Sequence, residues 1–264
     1  MTNILITGAN SYIGTAFANY MRQWPQVYHV DTLDMVDNAW RQADFSVYDA
    51  VFHVAGIAHR RETADNAHLY YEVNRDLTAK VARKAKAAGV KHFVFLSSMS
   101  IYGLVEGVIT ADTPPAPCTH YGCSKWQAEG LLKPLNDDSF TVSILRPPMV
   151  YGDGCKGNYQ ALVKLAKLSP ICPNYTNQRS MLSIDNLCAY VKALIDRPES
   201  GIFFPQDDNY VCTCHMIANI AAQNGKKLKT TRLLNPAVSL LKRTTKGKKA
   251  FGDLIYRDLT HLSF

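Results

Sequence analysis

Tyr121 and Lys125, in the run Tyr121-Gly122-Cys123-Ser124-Lys125, are the pair in this chain best suited to moving a proton. Residues four apart are neighbours on one face of a helix. A phenol is a poor base at neutral pH, with an ordinary pKa of about 10. A nearby ammonium group favours the phenolate and lowers that value. Such a tyrosine can take a proton from an alcohol or return one to a ketone. The pattern is short, so the rest of the chain must supply an electron acceptor and a substrate pocket.

The amino-terminal residues offer the acceptor site. Residues 3–7 read as a short buried strand, and Gly8, Asn10, Ser11, Tyr12, Ile13 and Gly14 form a turn that opens a helix running to about Arg22. Strand, glycine turn and helix begin a nucleotide-binding βαβ unit. The turn lets backbone approach a pyrophosphate, and the helix aims its free N–H groups at it. The next strand, residues 27–30, is expected to end at Asp31, 23 residues after Gly8. That is near the spacing of about 20 residues for a ribose partner, and Asp34 competes for the role. A carboxylate there repels a 2′-phosphate, and no Arg or Lys lies between Asp31 and Arg41, so NAD is expected over NADP.

Asp44-Phe45 precedes a third strand, which ends in Val54-Ala55-Gly56. Small residues at that end leave room for a dinucleotide against the backbone. His53 lies in an apolar run and reads as packed, whereas His59 and His68 lie near a polar loop. A long helix is expected from about Asn66 to Ala88, with its pattern interrupted at Asn74 and its end at Gly89. Residues 90–96 form the next strand, followed by Ser97-Ser98. Ser98 precedes Tyr121 by 23 residues, so its hydroxyl and the phenol can converge on one substrate oxygen. Prolines 114, 115 and 117 delay the next helix until Tyr121. Strand 140–145 ends at Arg146-Pro147-Pro148. The alternation predicts an α/β fold, a Rossmann-like doubly wound parallel sheet. Residues 1–150 are assigned to it, with a helix near 184–195 returning, and 151–264 to a small substrate-binding lobe with a basic end.

The chain has 264 residues, 47% of them hydrophobic, ample for a core. No apolar run reaches the length of a membrane span. The amino terminus lacks a signal-peptide pattern, so the expectation is a cytoplasmic protein with free thiols. No metal is expected, because the cysteine spacing fits no zinc pair. The net charge of +7 is local: nine Lys or Arg and no acid lie between Asp208 and Asp253, while the remaining 20 basic and 22 acidic residues nearly cancel. Such a stretch can meet a membrane or nucleic acid. Without interleaved aromatics or a nucleic-acid motif, it reads as a solvated face or one that meets an anionic substrate.

Together these stretches resemble the extended short-chain dehydrogenase/reductase family, especially its nucleotide-sugar epimerases and reductases. The matches are Thr7-Gly8-x-x-Ser11-x-x-Gly14, Asp44-Phe45, His53-Val54-Ala55-Gly56, Asn74, the run Ser97 to Gly103, Tyr121-x-x-x-Lys125, Leu145 to Gly152 and Arg179 to Leu187. Residues 250–256 resemble a bacterial branch linked to surface polysaccharide synthesis.

The resemblance implies Ser98 as catalytic hydroxyl, Tyr121 as acid/base, and Lys125 as ribose contact and promoter of the phenolate. It implies an adenine contact at Asp44, a nicotinamide edge at Pro147 and Val150, and diphosphate contacts at Asn158 and Arg179. An arginine suits a diphosphate through forked, charge-assisted hydrogen bonds. Ser11 replaces the family's middle glycine. Met99 and Ser100, beside Ser98 in the substrate site, replace the Asp-Glu of the dehydratases, which argues against elimination of water. The implied function is NAD-dependent 4-epimerisation of a nucleotide sugar, with a UDP-sugar favoured. Reduction of a 4-keto sugar with NAD(P)H is the alternative, and a non-catalytic dinucleotide-binding regulator is the alternative of another class. The resemblance also implies a homodimer built on the Tyr121 helix.

Overall fold

The apolar runs become the centre of one parallel sheet. The computed structural model describes residues 1–58, 60–155 and 157–259. Strand β1 (Thr2–Thr7) leads through helix α1 (Tyr12–Met21) to β2 (Tyr28–Leu33). A single 3-10 turn, Asn38–Arg41, then connects to β3 (Ala50–His53). Helix α2 (Ala67–Tyr70), a π-helical turn (Tyr71–Leu77) and α3 (Thr78–Ala87) precede β4 (His92–Leu96). Next come β5 (Gly107–Ile109), α4 (His120–Leu132), β6 (Thr141–Leu145) and β7 (Met149–Tyr151). The second half holds α5 (Asn158–Leu168), β8 (Ile171–Pro173), β9 (Met181–Ser183), α6 (Ile184–Asp196) and β10 (Gly201–Phe203). It closes with α7 (Thr213–Gln223), β11 (Lys229–Thr231), α8 (Asn235–Leu241), α9 (Thr245–Phe251) and β12 (Leu254–Tyr256).

The main sheet has the order β10-β6-β4-β3-β1-β2, all parallel. Every residue of β3 and β4 is buried, as expected of strands covered on both faces. The strand order reverses between β1 and β3, and the crevice beyond their carboxyl ends is where an open α/β sheet binds ligands. Helices α1 and α6 cover one face with Phe17, Leu187 and Val191, while α3 and α4 cover the other with Val81, Ala85 and Leu132. Ser11, Thr119 and Ser183 cap α1, α4 and α6, each accepting from the backbone N–H three residues on.

The chain departs from its expected layout in three places. The helix expected over 66–88 is broken by the π turn, whose Asn74 is turned inward to bond residues of the neighbouring loop and of α4. Beyond residue 150, not only α6 but also β10 joins the main sheet, beside β6. The chain's last strand also leaves the lobe: β12 pairs with β5, and Tyr256 is buried against Tyr102 and Phe204. The lobe's own core is formed by α5, α7, α8 and α9 around Cys172, Ile217, Val238 and Phe251.

Two buried histidines make the fold acid-sensitive. His53 bridges Thr7 Oγ1 at 2.6 Å and Thr78 Oγ1 at 2.9 Å, and His92 meets Ser143 Oγ at 2.7 Å. Burial pulls their pKa values from 6.5 down to about 3 and about 4. The unfolded chain therefore binds more protons between these limits, so stability is lost as pH falls below about 6.5. Urea unfolding from pH 7 to pH 4 will show a falling midpoint, and a flat midpoint would refute this.

Candidate functional site

The turn after β1 is shaped for close backbone approach. Gly8 has φ +106°, and a Cβ there would sit 2.8 Å from the Ala55 nitrogen. Asn10 adopts φ +64°, a left-handed conformation that asparagine tolerates. A Cβ on Gly14 would meet Ser11 Oγ at 2.6 Å and crowd Ile6 and Val54. Ser11 Oγ accepts from the Gly14 N–H at 3.1 Å, so the serine in the family's glycine position serves as the helix cap. The N–H groups of Tyr12 and Ile13 lie in the first turn, where a helix has no internal partner for them. The Tyr12 hydroxyl lies near Gly152, buried and without a hydrogen-bond partner among the described residues. A glycine cradle against Ala55 and an orphaned buried hydroxyl fit a bound dinucleotide.

The ribose partner is placed differently from the sequence expectation. Strand β2 continues to Leu33, so Asp31 lies inside it, opposite Leu5. Its carboxylate accepts from Tyr48 Oη at 2.9 Å and lies 3.2 Å from His29 Nε2. Asp34 is the acid directly after the strand end, where it accepts from Val36 N–H at 2.9 Å. Of the two ribose candidates, Asp34 is thus the one directly after the strand end and Asp31 the one within the strand. Asp44 Oδ1 accepts from the Ser46 N–H and hydroxyl, which holds its carboxyl below the usual value. The Phe45 ring is buried in the core beneath Lys84, which leaves only its backbone to face a cofactor. Asn74 is fully buried, its Oδ1 accepts from Ile57 N–H at 2.7 Å, and its Nδ2 donates to Ile57 O and Ser124 Oγ. It shapes the Gly56-Ile57 turn with all of these groups turned to protein partners.

The catalytic candidates do converge. Ser98 follows β4, and Tyr121 stands in the first turn of α4, its phenol close enough to the Ser98 hydroxyl to feel it. Burial raises the Tyr121 phenol above its ordinary value, and the Ser98 hydroxyl pulls it back. Lys125 is 4% exposed. Its Nζ donates to Leu96 O at 2.8 Å and would lie 3.4 Å from a Cβ on Gly56. Burial draws its pKa down to about 7, opposed by Glu129. In this arrangement the Lys125 ammonium is held by the Leu96 carbonyl. Its position under the Gly56 turn suits a ribose contact.

The remaining candidates divide. Ser100 is exposed, its hydroxyl 3.1 Å from Ser98 Oγ. The Met99 side chain is buried in the core, which removes it from the substrate wall. The Met99 N–H donates to Pro147 O at 2.9 Å, tying the serine loop to the end of β6. Val150 lies in β7, paired with Leu182. Arg179 Nη1 donates to Gly252 O at 2.8 Å, while its buried Nε has no hydrogen-bond partner among the described residues. Asn158 begins α5, with its side chain outside the described residues, as is His59.

Sequence reasoning missed the supports of this site. Glu62 accepts from the N–H groups of His120 and Tyr121, both at 3.0 Å, and so anchors the start of α4. Glu129, one turn after Lys125, is paired with Arg146 at 2.6 Å and 3.1 Å and accepts from Ser97 Oγ at 2.5 Å. Arg146 also donates to Tyr102 Oη, and its carbonyl accepts from Tyr256 Oη. Only spacing within α4 and the position of Arg146 beside Pro147 hinted at this buried network.

A model of the NAD dependent epimerase/dehydratase family matches residues 4–203. The chain belongs to this family. It is accordingly an enzyme of the extended short-chain dehydrogenase/reductase type. Among its relatives in the family, UDP-glucose 4-epimerase of Vibrio cholerae is 36% identical over 182 residues, covering 65% of this chain and 56% of that protein. The chain thus matches little more than half the length of that relative. N-acetyl-alpha-D-glucosaminyl-diphospho-ditrans,octacis-undecaprenol 4-epimerase of Escherichia coli O157:H7 is 27% identical over 256 residues, 89% of this chain and 76% of that protein. The family fold is shared with UDP-glucuronic acid 4-epimerase of Bacillus cereus, solved with NAD, at TM-score 0.72 and 19% identity over 95% of each chain. It is also shared with dTDP-4-dehydrorhamnose reductase of Bacillus anthracis, solved with NADP, at TM-score 0.69 and 19% identity over 87% of this chain and 83% of that one.

Proposed function

We propose that this protein is an NAD-dependent 4-epimerase of a diphosphate-linked sugar, with UDP-sugars as the first substrates to test. The observation that carries this reading is the meeting of Ser98 and Tyr121 at the crevice, with Lys125 beneath the Gly56 turn. Its likeness to the Vibrio UDP-glucose 4-epimerase supports the reading. Gly8, Gly14 and the N–H groups of Tyr12 and Ile13 hold the pyrophosphate, and Asp34 and Lys125 hold the two riboses. NAD, when bound, supplies a reversible hydride acceptor.

Tyr121 takes the proton of the sugar's C4 hydroxyl as hydride leaves C4. Ser98 donates a hydrogen bond to the same oxygen. The resulting 4-keto sugar turns, hydride returns to its other face, and Tyr121 gives the proton back. Arg179 steadies the diphosphate through its Nε. Met99, buried in the core, and Ser100, a hydroxyl, supply no acid/base pair to expel water beside Ser98, so oxidation and return is favoured over dehydration.

A second reading, a sugar diphospho-polyprenol as substrate, draws on the Escherichia coli relative, which aligns with most of this chain. Incubation with NAD and either UDP-sugars or a sugar diphospho-polyprenol in detergent separates the two. Epimerised sugar with no net NADH is the expected result. Consumption of NADH with keto sugars alone would instead make the enzyme a reductase.

A further inference from the structure

We propose that the basic surface of the carboxyl-terminal lobe docks onto an anionic lipid bilayer. Nine Lys or Arg and no acid lie between Asp208 and Asp253. Among the described residues, only Lys248 of these nine forms an ion pair, with Glu106. Large apolar side chains stand out between the cations. Leu233, beside Arg232, is 89% exposed, and Leu240 and Leu241, before Lys242 and Arg243, are 64% and 45% exposed. The surface continues onto the neighbouring strand, where exposed Ile171 lies opposite Lys229 in the β8–β11 pair. Lys226 Nζ bonds Lys167 O at 2.9 Å, next to Leu168, which is 81% exposed.

Neither half of this pattern explains the other in water. A solvated basic face has no use for protruding leucines, and a strand-binding surface for nucleic acid interleaves aromatics. Residues 211–250 contain no Phe, Trp or Tyr. Leucines that enter the acyl boundary while cations meet the headgroups satisfy both features at once. The same segment runs into Gly252–Tyr256, which bonds Arg179 and Arg146. A docked lobe would therefore hold the substrate end of the crevice near the bilayer. This surface does not depend on the epimerase reading, and its test involves no turnover.

The test is sedimentation of the full chain with phosphatidylcholine vesicles, with and without phosphatidylglycerol. Binding is expected only with phosphatidylglycerol and weakens as salt rises. Combining Lys227→Gln, Arg232→Gln and Lys246→Gln removes three exposed cations, each worth about fivefold in affinity, so binding falls about a hundredfold. Leu233→Ser with Leu240→Ser weakens binding about tenfold or more with its salt dependence retained. All five positions are on the surface, and an unchanged circular dichroism spectrum will show that the variants are folded. No binding to phosphatidylglycerol vesicles would overturn the proposal. Undiminished binding by either variant, or displacement from vesicles by duplex DNA, would also overturn it.

Discussion

Tyr121→Phe will lower turnover by about a thousandfold or more while NAD affinity stays within a few-fold of the parent. A positioned acid or base contributes about 10² to 10⁴ in rate. Here the phenol is the group that the Ser98 hydroxyl influences at the crevice. The substitution removes one oxygen and keeps the ring, so packing is preserved. Phenylalanine cannot take the C4 hydroxyl proton, whereas Lys125 and the glycine turn remain intact for the cofactor. Initial rates and calorimetric titration with NAD measure the two effects separately. Undiminished turnover would sink the mechanism. Loss of NAD binding in step with turnover would show that Tyr121 holds the cofactor and is not the acid/base.

The second large effect is on stability. Glu129→Ala will destabilise the protein by about 3–5 kcal/mol, as expected when one partner of a buried ion pair is removed. Glu129 is 1% exposed and Arg146 is 5% exposed, so the stranded guanidinium has no water to turn to. Ser97 loses its acceptor as well. The pair joins the serine loop, α4 and the end of β6, so its loss also loosens the alignment of Ser98 with Tyr121. Replacing both charges, Glu129→Leu with Arg146→Met, should recover much of the stability, because two well-packed apolar groups leave no buried charge behind. Urea unfolding of the three proteins measures this. A single-variant loss under about 1 kcal/mol would show that the network contributes little.

Local chemistry made much of the fold legible. Consecutive buried residues in β3 and β4, the glycine turn before α1 and the serine before α6 are local signals, and each element formed close to its expected place. Ser98, Tyr121 and Lys125 were legible as candidates, since Ser98 ends a strand and Tyr121 and Lys125 share one helix face. Errors arose where register or inward packing decides. Asp31 looked like a strand-end acid because Val27 to Val30 is the obvious apolar run. Pairing with β1 carries β2 on to Leu33 and makes Asp34 the acid directly after its end. Phe45, Asn74 and Met99 matched family positions, yet their side chains turn into the core, a direction that motif matching does not encode.

By itself, the sequence determined the element types, the dinucleotide turn, and the serine, tyrosine and lysine that could work together. Those properties depend on neighbours within a few residues, or on one helical repeat. Only the tertiary structure decided which carboxylates support the site. Glu62 anchors α4 from 58 residues before His120, and Glu129 meets Arg146 across the sheet edge. It alone decided that the chain's last strand returns to Tyr102 and that Lys125 turns to the Leu96 carbonyl. Contacts between residues far apart in sequence exist only once the sheet has closed and excluded water. A buried charge or amide then takes whichever partner the packed neighbours present.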